Sequence, residues 1–457
     1  MKRIAIIGGG ISGLTAAYEL ELARKRGAAI DWHLYEATDR LGGIIETTRI
    51  ATPEGKFILE GGPDGWVSEK PWARDLAIEL GLESELVYSN DTTRKTYILT
   101  DGKLQPIPDR MRMMVPEDLS ALEGSPLFTD SAKKAYADEV TRAEELKASA
   151  PTHDESVADF VRRHFGDEVL RALAAPLLSG VFGGDVHELS VRAVMPQFIA
   201  MEREYGSLVV ALQGRAQRAS TAQPIFTNLR GGMVSIIEAL VAQLPNARIQ
   251  SGSRISSLAE LDCDDVIVAA SLDSTRSLLQ QLSTDAAALL PGHASSAVLI
   301  AFAWPQDIAR SFTIPSGFGF LVPDGTSGEE QLLACTFIDQ KFPHRAPEGA
   351  RVMRAFFGGK TAEALESQSD DVVAVCALEQ LRVILGPIPE PAFQTVHRWP
   401  RSLPQYEVGH LERIERLEAM VRTLPGLHLL GNSYRGVGIP DLIRDARATA
   451  RAIAEGI

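Results

Sequence analysis

The chain has 457 residues, 45% of them hydrophobic and 23% charged, and a formal net charge of −14. That length requires two or three domains, and the composition is that of an ordinary globular protein. The acidic balance argues against nonspecific binding to nucleic acid or a general pull toward an anionic membrane surface.

Lys2–Ile7 is a short apolar run that reads as a buried strand, and Gly8, Gly10 and Gly13 follow as G-x-G-x-x-G. Ser12 to about Arg26 has helical apolar spacing, Ile30–Tyr35 reads as a second strand, and Glu36 ends it. In such a unit the first glycine permits the tight turn, the second lets the backbone approach a pyrophosphate, and the third lets helix and sheet pack closely. Ile11 and Ser12 open the helix, whose free N–H groups and positive dipole end favour phosphate. Glu36 stands at roughly the spacing where a carboxylate accepts from an adenosine ribose. A second glycine pair in Asp39-Arg40-Leu41-Gly42-Gly43 predicts a second close approach to an extended dinucleotide, and so favours FAD over NAD. The chain enters a strand at once, so no signal peptide is expected, and no run of about 18 apolar residues would span a membrane.

Ile58–Glu60 predicts a strand entering the turn Gly61-Gly62-Pro63-Asp64-Gly65, read either as a plain turn or as backbone passing close to a flavin. Pro71–Leu80 is an amphipathic helix ended by Gly81, and Thr96–Leu99 with Leu104–Ile107 forms a hairpin about Asp101-Gly102. From about Arg110 to Gln213 the pattern is helical, with helices over Ser131–Ala148, Ser156–Phe165 and Glu168–Leu178. Ser235–Leu244 predicts a helix. Ala247–Gln250, Arg254–Leu258 and Asp264–Ala270 predict strands. Ser296–Trp304, Gly317–Val322, Leu332–Phe337 and Val352–Phe357 predict a second sheet, and Asp370–Leu385 a helix. Leu427–Gly431 reads as a strand, Gly436–Pro440 as a turn and Asp441–Ala454 as the last helix.

Cys263, Cys335 and Cys376 make no C-x-x-C and read as reduced core thiols. The histidines show no metal spacing, so no metal is expected, and His410 reads as holding a loop. No nucleophile elbow, H-E-x-x-H or P-loop is present.

Several runs together carry a resemblance: Glu36-x-x-Asp39-Arg40-Leu41-Gly42-Gly43, Glu60–Asp64, Pro176–Asp185, Gly231-Gly232-Met233, Arg398-Trp399-Pro400, Leu403–Tyr406, Gly409-His410 and Gly431–Asp441. On these the chain resembles the FAD-dependent protoporphyrinogen oxidase family, within the amine-oxidase superfamily. That family often has a basic residue after the second glycine; here it is Ile44.

The resemblance implies an α/β fold with α+β insertions. A discontinuous Rossmann-like FAD domain would comprise residues 1–65, 222–285 and 395–457, a mixed-sheet substrate domain residues 66–109 and 286–394, and a helical domain residues 110–221. It implies six-electron oxidation of protoporphyrinogen IX to protoporphyrin IX in haem biosynthesis, with coproporphyrinogen III oxidation as the alternative within the family. Dioxygen would be the acceptor and ferrochelatase a partner for product transfer. The setting would be cytoplasmic, at most peripheral on the inner face of the membrane. FAD would be held by Gly8, Gly10, Ile11, Ser12, Gly13, Glu36, Arg40, Gly42, Gly43, Gly61, Gly62, Pro63, Asp64, Ile255, Trp399, Gly431, Val437, Gly438 and Ile439. Phe318 and Leu321 match a pair that sandwiches a pyrrole ring, and Gly180 a glycine whose carbonyl faces the macrocycle; both apolar residues read equally well as core. Thr96 falls where some members carry an arginine for a propionate, which leaves Lys70, Arg94 and Lys95 as nearby cations. The rival readings are an amine-oxidase-like flavoenzyme acting on amines or polyenes, and a non-enzymatic dinucleotide-binding or haem-carrying protein.

Overall fold

A computed structural model describes residues 1–216, 224–323 and 332–456. Two sheets organise it. In the first, five parallel strands run in the order Ile249–Gln250, Ile30–Tyr35, Lys2–Ile7, Asp265–Val268 and Leu427–Leu429. The N-terminal strand is therefore the centre of a sheet assembled from three distant parts of the chain. Alternation sends Ile4 and Ile6 to one side, where they join the helices Ile11–Lys25 and Ile439–Glu455 in one apolar cluster. Ile7 and Val268 belong to the cluster on the opposite side, with helices Leu272–Gln280 and His410–Val421. Both faces are covered, as a parallel sheet requires.

The second sheet has seven strands in the order Phe393–Pro404, Ala294–Trp304, Arg351–Gly358, Ala334–Phe337, Gly319–Leu321, Thr96–Thr100 and Lys103–Pro106. All its pairs are antiparallel except Gly319–Leu321 with Thr96–Thr100. Helix Asp370–Leu385 covers one face through Val373, Ala377 and Leu381. The boundary expected between 394 and 395 falls inside the edge strand Phe393–Pro404, which reaches back to touch the first sheet's loops. The boundary expected at 221 lies outside the described residues.

The predicted helical stretch packs around Tyr136, Phe160, Phe165, Leu173 and Phe198. The long helix expected over 131–148 is two, Asp130–Thr141 and Ala143–Ala148, and Thr129 caps the first through its side chain. Inside this unit lies a buried charged group. His164 Nδ1 meets Glu139 at 3.0 Å and its Nε2 meets Glu202 at 3.2 Å, while Ser207 Oγ donates to Glu139 at 2.5 Å and Arg163 to Glu202. His164 and both carboxylates are almost wholly buried.

One expected strand is absent. Residues 254–258 pair with no strand among the described residues. The sheet edge ends at Gln250, and Ser253 N–H turns away to donate to Glu36 O at 2.7 Å. Ser257 then caps a short turn, Leu258–Glu260. Short polar side chains bonding their own backbone compete with a ladder. A hairpin not anticipated, Thr47–Thr52 with Gly55–Glu60, carries Glu60 to the site.

Replacing His164 with alanine strips the shared partner from two buried carboxylates. A loss of about 3–5 kcal/mol is expected, the range for breaking a buried charged network. Urea unfolding followed by far-UV circular dichroism checks it.

Candidate active site

The carboxyl ends of the central strands converge where Ile7 runs into Gly8, Val268 into Ala269, and Leu429 into Leu430 and Gly431. Gly8 has φ +110°, and a Cβ there would lie 2.3 Å from Ala269 O. A Cβ on Gly13 would lie 1.9 Å from Gly8 O. The protein's own backbone demands these two glycines. Gly10 differs: the nearest atom to its added Cβ would be Gly43 Cα at 3.9 Å, so that side of the loop is open, beside the free N–H groups of the first helix. Ile11 and Ser12 are buried in the first turn.

The Gly42-Gly43 pair closes onto this loop. Gly42 N–H donates to Gly9 O at 2.8 Å, and Gly10 bridges Gly42 in parallel. Arg40 braces the turn by donating to Ile45 O at 2.9 Å and to Gly43 O. Glu36 Oε2 accepts from Gly9 N–H at 2.7 Å and Oε1 from Thr38 N–H at 2.8 Å, so the acid flanks the loop at the end where a ribose would lie. Ile255 is half-buried against the apolar cluster of Val268 and Leu278.

The C-terminal return brings a second helix start to the same place. Gly431 has φ +128°, Val437 and Gly438 lead in, and Ile439–Glu455 begins with Pro440 in its first turn, where a missing N–H costs nothing. The loop is pinned from behind. Tyr406 OH donates to Asn432 O at 2.7 Å and accepts from Gly436 N–H at 3.0 Å. His410 stacks on Tyr406 with centroids 3.9 Å apart and donates from Nε2 to Tyr434 O at 2.7 Å. Burial, aided by Arg413, pushes His410 down to about 4, so it is the neutral ring that holds the loop.

Asp441, buried in the first turn of that helix, takes Lys70 at 2.5 Å and Arg444 at 3.1 Å. Lys70 is thereby not the free rim cation the sequence led us to expect.

The turn Gly61–Asp64 carries the densest charge in the site. A Cβ on Gly62 would fall 1.8 Å from Ile44 O, and one on Gly61 2.5 Å from the His397 ring. Trp399 Nε1 donates to Gly61 O at 2.7 Å and lies parallel to His397. Behind the turn, Lys341 meets Asp64 at 3.0 Å, Arg354 meets Asp64 at 3.3 Å and donates to Gly62 O, and Arg345 meets Glu60 at 2.5 Å. Burial opposes ionisation of Asp64, but the facing charges of Lys341 and Arg354 hold its carboxyl at about 2. Burial also keeps His344 and His397 below the usual histidine range, His344 at about 3. No local motif marks Lys341, Arg345, Arg354 or His397. Arg354 alone carries a signal, a charge inside the apolar run Val352-Met353-Arg354-Ala355-Phe356.

On the far side, helix Ala175–Phe182 meets the second sheet. A Cβ on Gly180 would lie 3.1 Å from Leu321 Cδ2, so the structure brings these two expected residues together. Phe318 is buried just before the strand, its N–H donating to Lys95 O at 2.7 Å. Thr96 pairs with Gly319 one step on. Arg94 and Lys95 are exposed, and neither side chain meets a carboxylate among the described residues. At the surface, Glu188, His293 and Glu407 lie within 4.8 Å of one another, with His293 Nδ1 2.6 Å from Glu407 and Arg413 at 3.3 Å from it.

Residues 11–454 match the model of the flavin-containing amine oxidoreductases. The chain belongs to that family. It is similar to the coproporphyrinogen III oxidase of Bacillus subtilis (strain 168), 33% identical over 98% of this chain and 97% of that one. It is also similar to chloroplastic protoporphyrinogen oxidase 1 of Arabidopsis thaliana, 27% identical over 97% of this chain and 86% of the plant protein. A crystal structure from Exiguobacterium sp. 255-15, assigned as a protoporphyrinogen oxidase, superposes with a TM-score of 0.84 at 30% identity, covering 100% of this chain and 99% of that one. This family member is thus an FAD-dependent oxidoreductase. The residues present fit the cofactor: Gly10 is open where the pyrophosphate must pass, two helix starts converge there, and Glu36 flanks one end.

Gly10→Ala fills space that only the ligand uses. Apoprotein stability is expected to stay within about 0.5 kcal/mol of wild type, while FAD affinity falls about tenfold or more, as thermal melts and flavin titration would show. For His410 the sign follows from its lowered folded pKa. The unfolded chain takes the proton first, so stability is complete above about pH 6.5 and falls by about 3 kcal/mol as pH drops to 4. The fall in apparent Tm between pH 7 and pH 4.5 is expected to be smaller in His410→Gln.

Proposed function

We propose that this chain oxidises a porphyrinogen to the porphyrin and that coproporphyrinogen III is its substrate. The observation that carries the reading is the 33% identity to the Bacillus subtilis coproporphyrinogen III oxidase across nearly the whole of both chains. This departs from the protoporphyrinogen IX expected at first from the family resemblance. The plant protoporphyrinogen oxidase, at 27%, supports the same chemistry and keeps protoporphyrinogen IX as the second reading.

A porphyrinogen is apolar at its centre and anionic at its rim, so it needs an apolar slot edged by cations. Gly180, Leu321 and Phe318 are suited to the slot. Lys95, whose carbonyl takes the Phe318 N–H, and its neighbour Arg94, both without carboxylate partners among the described residues, are suited to the rim. Thr96 offers no charge, and Lys70 is occupied by Asp441. FAD supplies the hydride acceptor. The chain's own part is to hold the macrocycle at a fixed approach and to keep water from the slot. Removal of six electrons in three two-electron steps is balanced by reduction of three dioxygen molecules to hydrogen peroxide. Dioxygen as acceptor, product transfer to ferrochelatase and peripheral membrane docking belong to the proposal. Among the described residues no helix is long and apolar enough to cross a membrane. We also propose three units, with the sheet unit extended to residue 404 because Phe393–Pro404 is one of its strands.

Comparative turnover tests the reading. kcat/KM for coproporphyrinogen III is expected to exceed that for protoporphyrinogen IX at least tenfold; the reverse order would establish the second reading. Lys95→Ala should raise KM several-fold for the four-propionate substrate and leave kcat nearly intact, since an exposed cation contributes about 1 kcal/mol or less to substrate and transition state alike.

A further inference from the structure

Behind the Gly61–Asp64 turn the protein has buried more positive than negative charge. Lys341, Arg345 and Arg354 are each under 10% exposed. They face two carboxylates, Glu60 and Asp64. The adjacent Arg351 and Asp339 pair with each other at 3.0 Å and cancel. His344 and His397 are held neutral by burial. Among the described residues, one positive charge is left without a counterion. The guanidinium Nε atoms of Arg345 and Arg354 also lack hydrogen-bond partners. Ring faces supply part of the compensation: Lys341 Nζ lies 4.2 Å from the Phe226 centroid, and Arg354 lies over Phe356 at 5.0 Å. A buried cation without a counterion is costly, and such groups mark places where a negative charge arrives.

The turn itself faces the site as bare backbone. Gly61 and Gly62 continue the side-chain-free wall begun by Gly42 and Gly43, joined through Gly61 N–H to Glu46 O at 2.8 Å and the close approach of Gly62 to Ile44 O. With the ribose at Glu36 and the pyrophosphate at Gly10, this wall lies at the opposite, flavin-ring end of the cofactor. Arg354 grips the wall directly through Gly62 O.

We infer that Lys341, Arg345 and Arg354 form an electrostatic seat for the flavin ring, raising its affinity for electrons and fixing the Gly61–Gly62 wall against it. Reduction adds negative charge to the ring, and an uncompensated cation in a low-dielectric interior acts on that charge with little screening. These are positioning residues, since they act through the turn and through space. The inference rests on the FAD reading and adds the part of the protein that sets the cofactor's potential.

The test measures the reduction potential of the FAD-loaded protein by dye equilibration under anaerobic conditions. Lys341→Met removes a cation and should move the potential to more negative values. Asp64→Asn removes an anion and should move it the opposite way. Arg354→Lys keeps the charge and should stay near wild type, with a flavin absorption spectrum altered by the lost grip on Gly62. Opposed signs separate charge from mere structural damage. If Lys341→Met fails to accumulate folded, Asp64→Asn decides alone. FAD-loaded variants that keep the wild-type potential, or that all shift the same way, would overturn the seat. A wild-type protein that binds no FAD would instead overturn the cofactor reading beneath it.

Discussion

The whole site depends on one backbone contact: the Cα of Gly13 lies so near the carbonyl of Gly8 that no side chain fits between them. This contact sets the start of the first helix hard against the end of the central strand. It leaves Gly10 exposed to the space above, and gives the Gly42-Gly43 pair a surface on which to form its own backbone bridge. The second glycine pair therefore has a structural duty besides any contact with ligand. From Glu36 at one end to Gly61 and Gly62 at the other, the parts around it are joined by backbone contacts and braced from behind by Arg40, Trp399 and Arg354. A wall of backbone already ordered by folding has no long side chains left to immobilise when an extended cofactor fits against it.

The C-terminal loop reaches the same standard of order by other means. Residues 432–436 have no regular structure, yet Tyr406 bonds both arms of the loop and His410 locks Tyr406 by stacking and by its bond to Tyr434 O. The neutral state of His410 is part of that lock, since burial disfavours the imidazolium ring. The last helix consequently begins at a fixed point, with Asp441 tied to Lys70 across from it. An ion pair at a helix start engages a residue that charge counting alone would have assigned to substrate.

Two buried ionic groups have different characters. Around His164 the charges close on themselves: Glu139 and Glu202 are each bonded by several donors, and the group stitches four helices of one unit. Around Gly61–Asp64 three buried cations face two carboxylates, and the Nε groups of Arg345 and Arg354 are left over, as is that of Arg163 beside Glu202. The first arrangement is that of a structural network and the second that of a site. Helix Ala175–Phe182 leans on Leu321 of the seven-stranded sheet, and the two would wall the proposed slot from opposite sides.

Local pattern was enough to read the dinucleotide unit. Strand, glycines, helix, strand and acid are adjacent in the chain, so their geometry is decided by short-range sterics that the residues themselves carry. The helix over 370–385 was legible for the same reason, its apolar spacing and its Ser369 cap being local. Residues 254–258 were misread because alternation cannot show whether a partner strand exists, and here the sheet edge had already ended. Only tertiary structure could show that Phe393–Pro404 belongs to the second sheet, that Lys70 is taken by Asp441, and that Gly180 meets Leu321. The cation group is the clearest case. Lys341, Arg345 and Arg354 come from three elements some 280 residues beyond Gly61–Asp64. Each is unremarked among its neighbours, because the excess charge is a property of the assembled pocket and of no segment within it.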